Sequence, residues 1–290
     1  MAANFLIMKA VEEIFSGVDN LPPAPPLLPK LLPALEDVNG NFDDIVSMIE
    51  LDQTLTAKLL QICNSAFFSP PRPVTDVREA VSQAGYEAVY LLAAMISGSA
   101  CFVAPEVPGV NSKLLWKHSV AAAYAAKFVA ESALMESEML FTAGLLHDIG
   151  RVVLTRAHGK SYGLLIIRAT LANTSASESE IAAYGCTHAE IGALLLERWK
   201  LPAALAAGVR FHHEPAAAPP DMRRIAACVC VGNLLIHSQT RPEVLGEPDF
   251  KAALELLNLS ADNVGDWQKS LREYEDLIEM MSRAQGGNFS

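Results

Sequence analysis

The chain has 290 residues, of which 51% are hydrophobic, and a formal net charge of -11 at pH 7. A chain of this length buries about three-quarters of the surface that its unfolded form exposes, so folding requires neither disulfides nor a metal. The negative charge repels phosphate backbones, which argues against nucleic acid as a general partner. A composition dominated by Ala, Leu and Glu, with almost no strand signals, predicts an all-α fold.

The five cysteines are odd in number and form no C-x-x-C pair, as is typical of a protein in a reducing cytosol. The first residues lack the pattern of a signal peptide, and the apolar stretch 88–104 is too short and too interrupted for a membrane span. We therefore expect a cytoplasmic protein without membrane contact, in which this stretch forms a buried helix.

Residues 1–110 are predicted to form an N-terminal helical part. Asn41, Asp52 and Thr75 are suitable helix N-caps, and Gly85 is suited to end a helix. Apolar residues recur at helical spacing through this region, which contains no cluster of histidines or paired acids suited to catalysis. We expect this part to serve in packing or in contact with a partner protein.

A helical core is predicted over 111–240, followed by a C-terminal helical extension over 241–290. The predicted helices span 112–132, 137–157, 159–172, 178–184, 188–199, 203–213, 219–238, 248–257 and 262–283. Two capping boxes, Ser177 with Glu180 and Thr187 with Glu190, are predicted to begin two of them. The second box places His188 in the first turn of its helix.

The predicted helix 137–157 is apolar on nearly every side, yet it contains His147, Asp148 and Arg151. A buried charge costs roughly several kcal/mol unless it is paired or bound to a metal. These three residues therefore need a shared explanation. A hydrogen-bonded pair in the core would by itself account for the His-Asp dipeptide.

The other histidines favour a metal site. Two of the seven, His158 and His237, lie near helix C-termini, where positive charge is favourable, and are assigned no special role. The other five lie on apolar helices or at their ends: His118, His147, His188, His212 and His213. Imidazole with a carboxylate suits Fe, Mn, Zn or Ni better than Mg or Ca. With Asp148 they suffice for one ion, or for two ions bridged by Asp148 that would promote phosphoester hydrolysis.

Several segments resemble an HDOD domain over about residues 20–238. They are LPPAPPLLPKLL, IELDQTLTAKLLQICNSAFF, PVTDVREAVSQAG, LLHDIGRVVL and HAEIGALLLERWKLP with the later FHHEP. HDOD domains are the bacterial regulatory relatives of the HD phosphohydrolases. The resemblance implies an HD-superfamily helical bundle with an N-terminal helical subdomain. It also implies a role in signal transduction, often in two-component or cyclic-dinucleotide pathways, and many members have no demonstrated catalysis.

The resemblance also assigns residues to a site. The HD pattern of a first His, a His-Asp pair and a last Asp falls on His118, His147 with Asp148, and position 233, which is Asn233 here. Asn is a neutral and weaker ligand, so we expect the His118 side to hold its metal less tightly. Arg151 stands where catalytic relatives frequently carry Lys, and we expect it to hold a phosphate beside Asp148.

The remaining histidines resemble the second-metal ligands of the HD-GYP phosphodiesterases. These are His188, His212 and His213, followed by Glu214. The Gly-Tyr-Pro segment that should come next is replaced by PAAAPPDM. This departure argues against hydrolysis of cyclic di-GMP.

Three hypotheses remain open. In the first, the chain is a regulatory module that binds a signalling protein or a small phosphorylated ligand and keeps the metal site for structure or sensing. In the second, it is a metal-dependent phosphohydrolase that uses Asp148 as bridging ligand and Arg151 as phosphate anchor. In the third, the histidines only hydrogen-bond one another. The Ala-rich helices also allow a homo-oligomer.

Overall fold

The computed structural model describes residues 2–18, 20–25, 27–31 and 42–283. Across these ranges the chain forms helices without any strand, which confirms the all-α prediction. In chain order, α1 to α16 span Ala2–Ser16, Phe42–Glu50, Gln53–Cys63, Val77–Ala84, Tyr86–Ser99, Ser112–Ser132, Ser137–Leu146, Ile149–His158, Lys160–Ala172, Ala176–Tyr184, His188–Arg198, Ala203–Arg210, Arg223–His237, Pro248–Leu257, Val264–Glu273 and Glu275–Arg283.

Helix α6 lies at the centre of the bundle. Its alanine-rich segment 121–126 is buried, and the helix contacts α7, α13, α15 and α16. Small side chains let neighbouring helices approach closely and fill the interior at high density. The indole of Trp116 donates to the Met281 carbonyl at 3.0 Å, and that of Trp267 donates to the Ser132 hydroxyl at 2.9 Å. The C-terminal helices are thereby fastened to α6.

The N-terminal helices share a continuous hydrophobic core with the rest of the described chain. Helix α5, which contains most of the apolar stretch, is buried against α3, α4 and α7, and the hydroxyls of Tyr90 and Thr142 lie 2.8 Å apart across this contact. Helix α1 contacts α8 and α11. None of the described helices is long and apolar enough to cross a membrane. The domain boundaries at 110 and 240 stay a prediction.

Two of the predicted helix signals in this region are confirmed. The carboxylate of Asp52 accepts from the backbone N–H groups of Thr54 and Leu55, both at 3.0 Å, as an N-cap does. Gly85 ends α4 with a φ of 87°, a conformation that favours glycine. The predicted cap Asn41 lies outside the described residues.

The prediction of Thr75 as an N-cap is wrong by one residue. Asp76 caps α4 instead, because its carboxylate accepts from the Glu79 backbone N–H at 2.7 Å. The Glu79 carboxylate in turn accepts from the backbone N–H and the hydroxyl of Thr75, at 2.9 and 3.0 Å. Thr75 is therefore the residue before the cap.

Most of the predicted helix boundaries hold to within two residues, but the helix predicted over 219–238 begins only at Arg223. The predicted helix 137–157 breaks at positions 147 and 148 into α7 and α8, and the predicted helix 262–283 breaks at Tyr274 into α15 and α16. The helix predicted over 203–213 ends at Arg210. The first of these breaks creates the site described next.

Candidate metal centre

The break between α7 and α8 lies at His147 and Asp148. Side chains of consecutive residues in a continuous helix do not face each other. Here His147 Nε2 lies 3.6 Å from Asp148 Oδ2, which the break allows. The ring of His147 donates from Nδ1 to the Gly144 carbonyl at 2.7 Å. Because a carbonyl only accepts, this bond leaves Nε2 with a free lone pair, as a metal ligand requires.

His188 reaches Asp148 because α11 crosses α8 closely. A Cβ atom added to Gly150 would lie 1.9 Å from the His188 carbonyl oxygen, so only glycine fits there. The predicted capping box of Thr187 and Glu190 is confirmed and begins α11 at His188. His188 Nε2 consequently lies 3.2 Å from Asp148 Oδ1.

Glu180 is a site residue for which the sequence predicted a different role. Its predicted capping box with Ser177 is wrong, because α10 begins before Ser177 and has no side-chain cap bond. Glu180 is instead fully buried and accepts from His188 Nδ1 at 2.7 Å, from the His188 backbone N–H at 2.8 Å and from the Tyr162 hydroxyl at 2.8 Å. A carboxylate behind an imidazole orients the ring and raises its basicity toward a metal.

His212 and His213 follow α12, with ring centroids 4.0 Å apart. His212 is buried and donates from Nδ1 to the Val209 carbonyl at 2.7 Å, while its Nε2 has no hydrogen-bond partner in the part of the chain that the structure describes. A buried polar atom without a partner costs roughly 1–3 kcal/mol, which a bound ion would offset. His213 is exposed at the surface, and its Nε2 lies 3.0 Å from His188 Nε2.

The six predicted His and Asp ligands form two adjoining clusters. His188, His212 and His213 make one, and His118, His147 and Asp148 make the other. Within each, the ligand atoms lie no more than 4.8 Å apart. In the second cluster His118 Nε2 is 3.3 Å from His147 Nε2. Ligand nitrogens at about 2.1 Å from one ion are themselves roughly 3.0–3.4 Å apart, so both short nitrogen contacts match a shared ion. The donor set fits a transition metal.

Burial keeps most of these rings neutral. It lowers the pKa of His118 to about 3 and lowers the pKa values of His147 and His212 as well. Burial also opposes protonation of His188, but the charge of Glu180 and the hydrogen bonds to Asp148 and Glu180 together outweigh it and raise the pKa of that ring. Neutral imidazole is the form that binds a metal.

The two acids of the site are ionised. Burial disfavours the charge on Asp148, but Arg151 and the neighbouring histidines outweigh it and hold the pKa of this carboxyl well below its ordinary value. Burial likewise disfavours the charge on Glu180, and His188 overcomes it, so the pKa of Glu180 falls to about 2. Arg151 Nε lies 2.9 Å from Asp148 Oδ1. An anionic ligand and a nearby cation are therefore both in place.

Asn233 lies on α13, buried, and its Oδ1 has no hydrogen-bond partner among the described residues. Its role as a ligand stays a prediction. One turn later on the same helix, His237 lies with its ring centroid 5.0 Å from that of His118. Burial lowers the pKa of His237 to about 4. No role was predicted for His237 from the sequence; its spacing of four residues from Asn233 on a helix was the available signal.

A cavity of about 810 Å³ adjoins the cluster and exposes part of it. Its lining includes His118, Asp148, Arg151, Tyr162 and His237. A second cavity, of about 500 Å³, reaches His213. Ligands therefore have direct access to Asp148 and Arg151, the two residues predicted to act in chemistry.

Known proteins share this fold. An HDOD domain protein of unknown function from Geobacter sulfurreducens superposes with a TM-score of 0.79 at 24% identity and covers 96% of each chain. A candidate phosphohydrolase from Shewanella amazonensis gives 0.72 at 21% identity, with 97% of this chain and 98% of the other covered. A candidate signal transduction protein from Marinobacter aquaeolei gives 0.79 at 23% identity, with 98% and 66% covered.

In sequence, an uncharacterised protein of Treponema pallidum is 28% identical over 233 residues. That match covers 79% of this chain and 44% of the relative, so the chain spans less than half of the relative's length. Residues 21–215 match the HDOD domain family, which agrees with the resemblance drawn from the motifs. With most of its length matched, the chain belongs to the HDOD domain family.

Proposed function

We propose that this chain is a signal-transduction module whose transition-metal centre binds a small phosphorylated ligand. The observation that carries the proposal is that six ligand side chains form two adjoining clusters, and that the buried His212 Nε2 of one cluster has no hydrogen-bond partner among the described residues. His188, His212 and His213 would hold one ion and His118 with His147 another, with Asp148 between them. Fe, Mn, Zn and Ni suit these donors. A bound ion would supply positive charge to a phosphoryl oxygen.

Arg151 supports the choice of a phosphorylated ligand. Its Nε contacts Asp148, and the residue lines the large cavity. Burial disfavours the charge of Arg151, but Asp148, Tyr162 and Glu180 together outweigh it and raise the pKa of Arg151 above its ordinary value, so the guanidinium stays charged. Guanidinium groups bind phosphate with paired hydrogen bonds. The donors of Arg151 other than Nε would be the anchor.

The choice of binding over turnover rests on Asn233. An amide in place of the last carboxylate of the HD pattern withdraws one negative charge from the ligands of the His118 side. The regulatory role itself follows from what the HDOD resemblance implies. We also propose that the N-terminal helices, which carry no such cluster, contact a signalling partner protein.

The test is elemental analysis of protein purified without chelator, followed by calorimetric titration with inorganic phosphate. We expect near-stoichiometric Fe, Mn, Zn or Ni, and phosphate binding that disappears when the metal is removed. The double variant His147→Ala with His188→Ala should lose both. His158→Ala, at a histidine that stacks on Tyr184 away from the clusters, is the control and should keep both. Metal-free wild-type protein would show that the histidines only hydrogen-bond one another.

A second candidate is a metal-dependent phosphohydrolase, favoured by the ion pair of Asp148 and Arg151 inside an accessible cavity. In this role the chain's own residues would orient a phosphoester, with Arg151 holding a phosphoryl oxygen. Metal-loaded protein would then hydrolyse p-nitrophenyl phosphate, a nucleotide or a cyclic dinucleotide. Arg151→Gln should abolish turnover, whereas Arg168→Gln, at an exposed arginine of α9, should not. Metal-loaded protein that is inert toward all these substrates excludes this candidate.

A further inference from the structure

The cavity of about 810 Å³ has two unlike ends. The polar end consists of His118, Asp148, Arg151 and His237. The remaining wall is largely apolar and includes Val107, Pro108, Val110, Leu114, Leu115 and Ile166. Sites for organic small molecules occupy about 300–1,000 Å³, whereas a bare phosphate ion would fill only a small part of this space. The cavity therefore suits a ligand that has an apolar body as well as an anionic end.

Part of the apolar wall is a short strap, residues 106–111. The strap turns at Pro108 and Gly109, where the Val110 backbone N–H donates to the Val107 carbonyl at 3.1 Å and Gly109 has a φ of 88°. Pro followed by a residue of positive φ is the signature of a type II turn. At its end Asn111 caps α6 through the N–H groups of Lys113 and Leu114. The strap is therefore an ordered wall.

Contact with helix α9 holds the strap in its position. A Cβ atom on Gly163 would lie 2.0 Å from the Pro108 carbonyl oxygen, and one on Gly109 would lie 2.3 Å from the Gly163 carbonyl oxygen. These distances exclude any side chain, so the strap and α9 touch through backbone. Because α9 also supplies Tyr162 and Ile166 to the lining, the apolar wall is formed before a ligand arrives.

The charge and the exposure of the lining residues further restrict the kind of ligand that fits the cavity. Leu114 is 65% exposed although it lines the cavity, so an apolar surface faces water at this end. Covering such surface stabilises a complex by roughly 25 cal/mol per Å². Glu106 also lines the cavity, and its negative charge disfavours a second anionic group beside it.

We infer that this cavity binds an organic phosphate with one anionic end and an apolar body. The anionic end would lie at Arg151 and His237 beside the metal centre, and the body would lie against the strap, Leu114 and Ile166. The inference rests on the proposed function, because the metal centre and Arg151 supply the anion site. It adds the chemical class of the ligand.

Phosphonates test the inference because they cannot be hydrolysed as phosphoesters are. The metal-loaded protein is titrated calorimetrically with methylphosphonate, with hexylphosphonate, and with a phosphonate whose chain of the same length carries hydroxyl groups. We expect hexylphosphonate to bind about tenfold more tightly than either of the others, since burial of roughly 60 Å² of apolar surface suffices for that ratio. Metal content is measured on the same samples.

A matched pair of leucines locates the body of the ligand. Leu114→Gln should remove most of the preference for hexylphosphonate and leave methylphosphonate binding unchanged. Leu171→Gln, at a leucine that is 82% exposed on α9 and outside the cavity lining, should leave both affinities unchanged. Both changes keep a helix-forming residue at an exposed position, so neither should unfold the protein.

The outcomes separate this inference from the proposed function. Equal affinity for the three phosphonates in metal-loaded protein overturns the inference and leaves the proposed function intact. The same conclusion follows if Leu171→Gln removes the preference as fully as Leu114→Gln does. Protein that holds no metal and binds no phosphonate overturns the proposed function, and the inference with it.

Discussion

The two clusters of the metal centre differ in how their rings are held. In the His188 cluster, a buried carboxylate orients His188, and the Val209 carbonyl fixes His212. In the His118 cluster a carbonyl fixes His147, whereas His118 contacts the rings of His147 and His237. An oriented ring loses less freedom when it binds a metal, so we expect the His188 cluster to hold its ion more tightly. Ligand count alone would not distinguish the two.

The largest effect should come from His188→Gln, which removes a ligand that lies near both Asp148 and His213. We expect a loss of metal affinity beyond the 10–100-fold that is typical of an outer partner. Metal content after dialysis against a graded chelator measures it. His158→Gln serves as the control. Retention of full metal content by His188→Gln would show that the His188 cluster is not a metal site.

Glu180→Gln should have the next largest effect. The change keeps the shape of the side chain but removes the charge that faces His188 Nδ1, so we expect metal affinity to fall by about 10–100-fold. Glu178→Gln on the same helix, at an exposed position, should have no effect. The same chelator competition provides the measurement. If Glu180→Gln and Glu178→Gln had the same metal affinity, orientation by a carboxylate would not explain the difference between the clusters.

His118→Gln should lower metal binding less than His188→Gln. The site would lose the ligand of the weaker cluster, so we expect protein that binds two ions to retain about one. Metal-to-protein ratios from elemental analysis distinguish the variants. Loss of both ions in His118→Gln would reverse the proposed ranking of the two clusters.

The smallest effect should come from Asn233→Asp, and it should be a gain. A carboxylate restores the charge that the HD pattern places at this position, and we expect metal affinity of the His118 cluster to rise by about tenfold or less. Asn258→Asp, at an exposed residue that follows α14, is the matched control. Unchanged affinity would mean that position 233 does not reach the ion, and that His237 is the better candidate on α13.

The all-α fold and the identity of the six clustered residues could be predicted because each depends on local pattern. Helical periodicity shows in any window of the chain, and a histidine on an apolar helix stands out. Glu180 was not predicted as a site residue because Ser177-x-x-Glu180 has the spacing of a capping box. The sequence alone cannot show that the Ser177 hydroxyl does not cap the helix. Its true partners are His188 and Tyr162, which α11 and α9 bring to it. Such tertiary contacts produce no periodic pattern in the sequence.

The position of His237 beside the site was not predicted for a related reason. A histidine in the last turn of a helix is adequately explained by the helix dipole, so the sequence offers nothing further to explain. Its position beside His118 depends on how α13 crosses α6. The break at His147 was equally hidden, because every residue from 137 to 157 is compatible with one continuous helix.

That break also limits how the chain can change. One peptide bond joins His147, at the end of the helix that contacts α6, to Asp148, at the start of the helix that contacts α11. Each residue of an α-helix advances the chain by about 100° around the axis. An insertion or deletion of one residue within α7 or α8 would therefore rotate part of that helix out of register with its neighbours. We therefore expect insertions and deletions to be tolerated in the surface loops of this chain and to disrupt packing when they fall within these two helices.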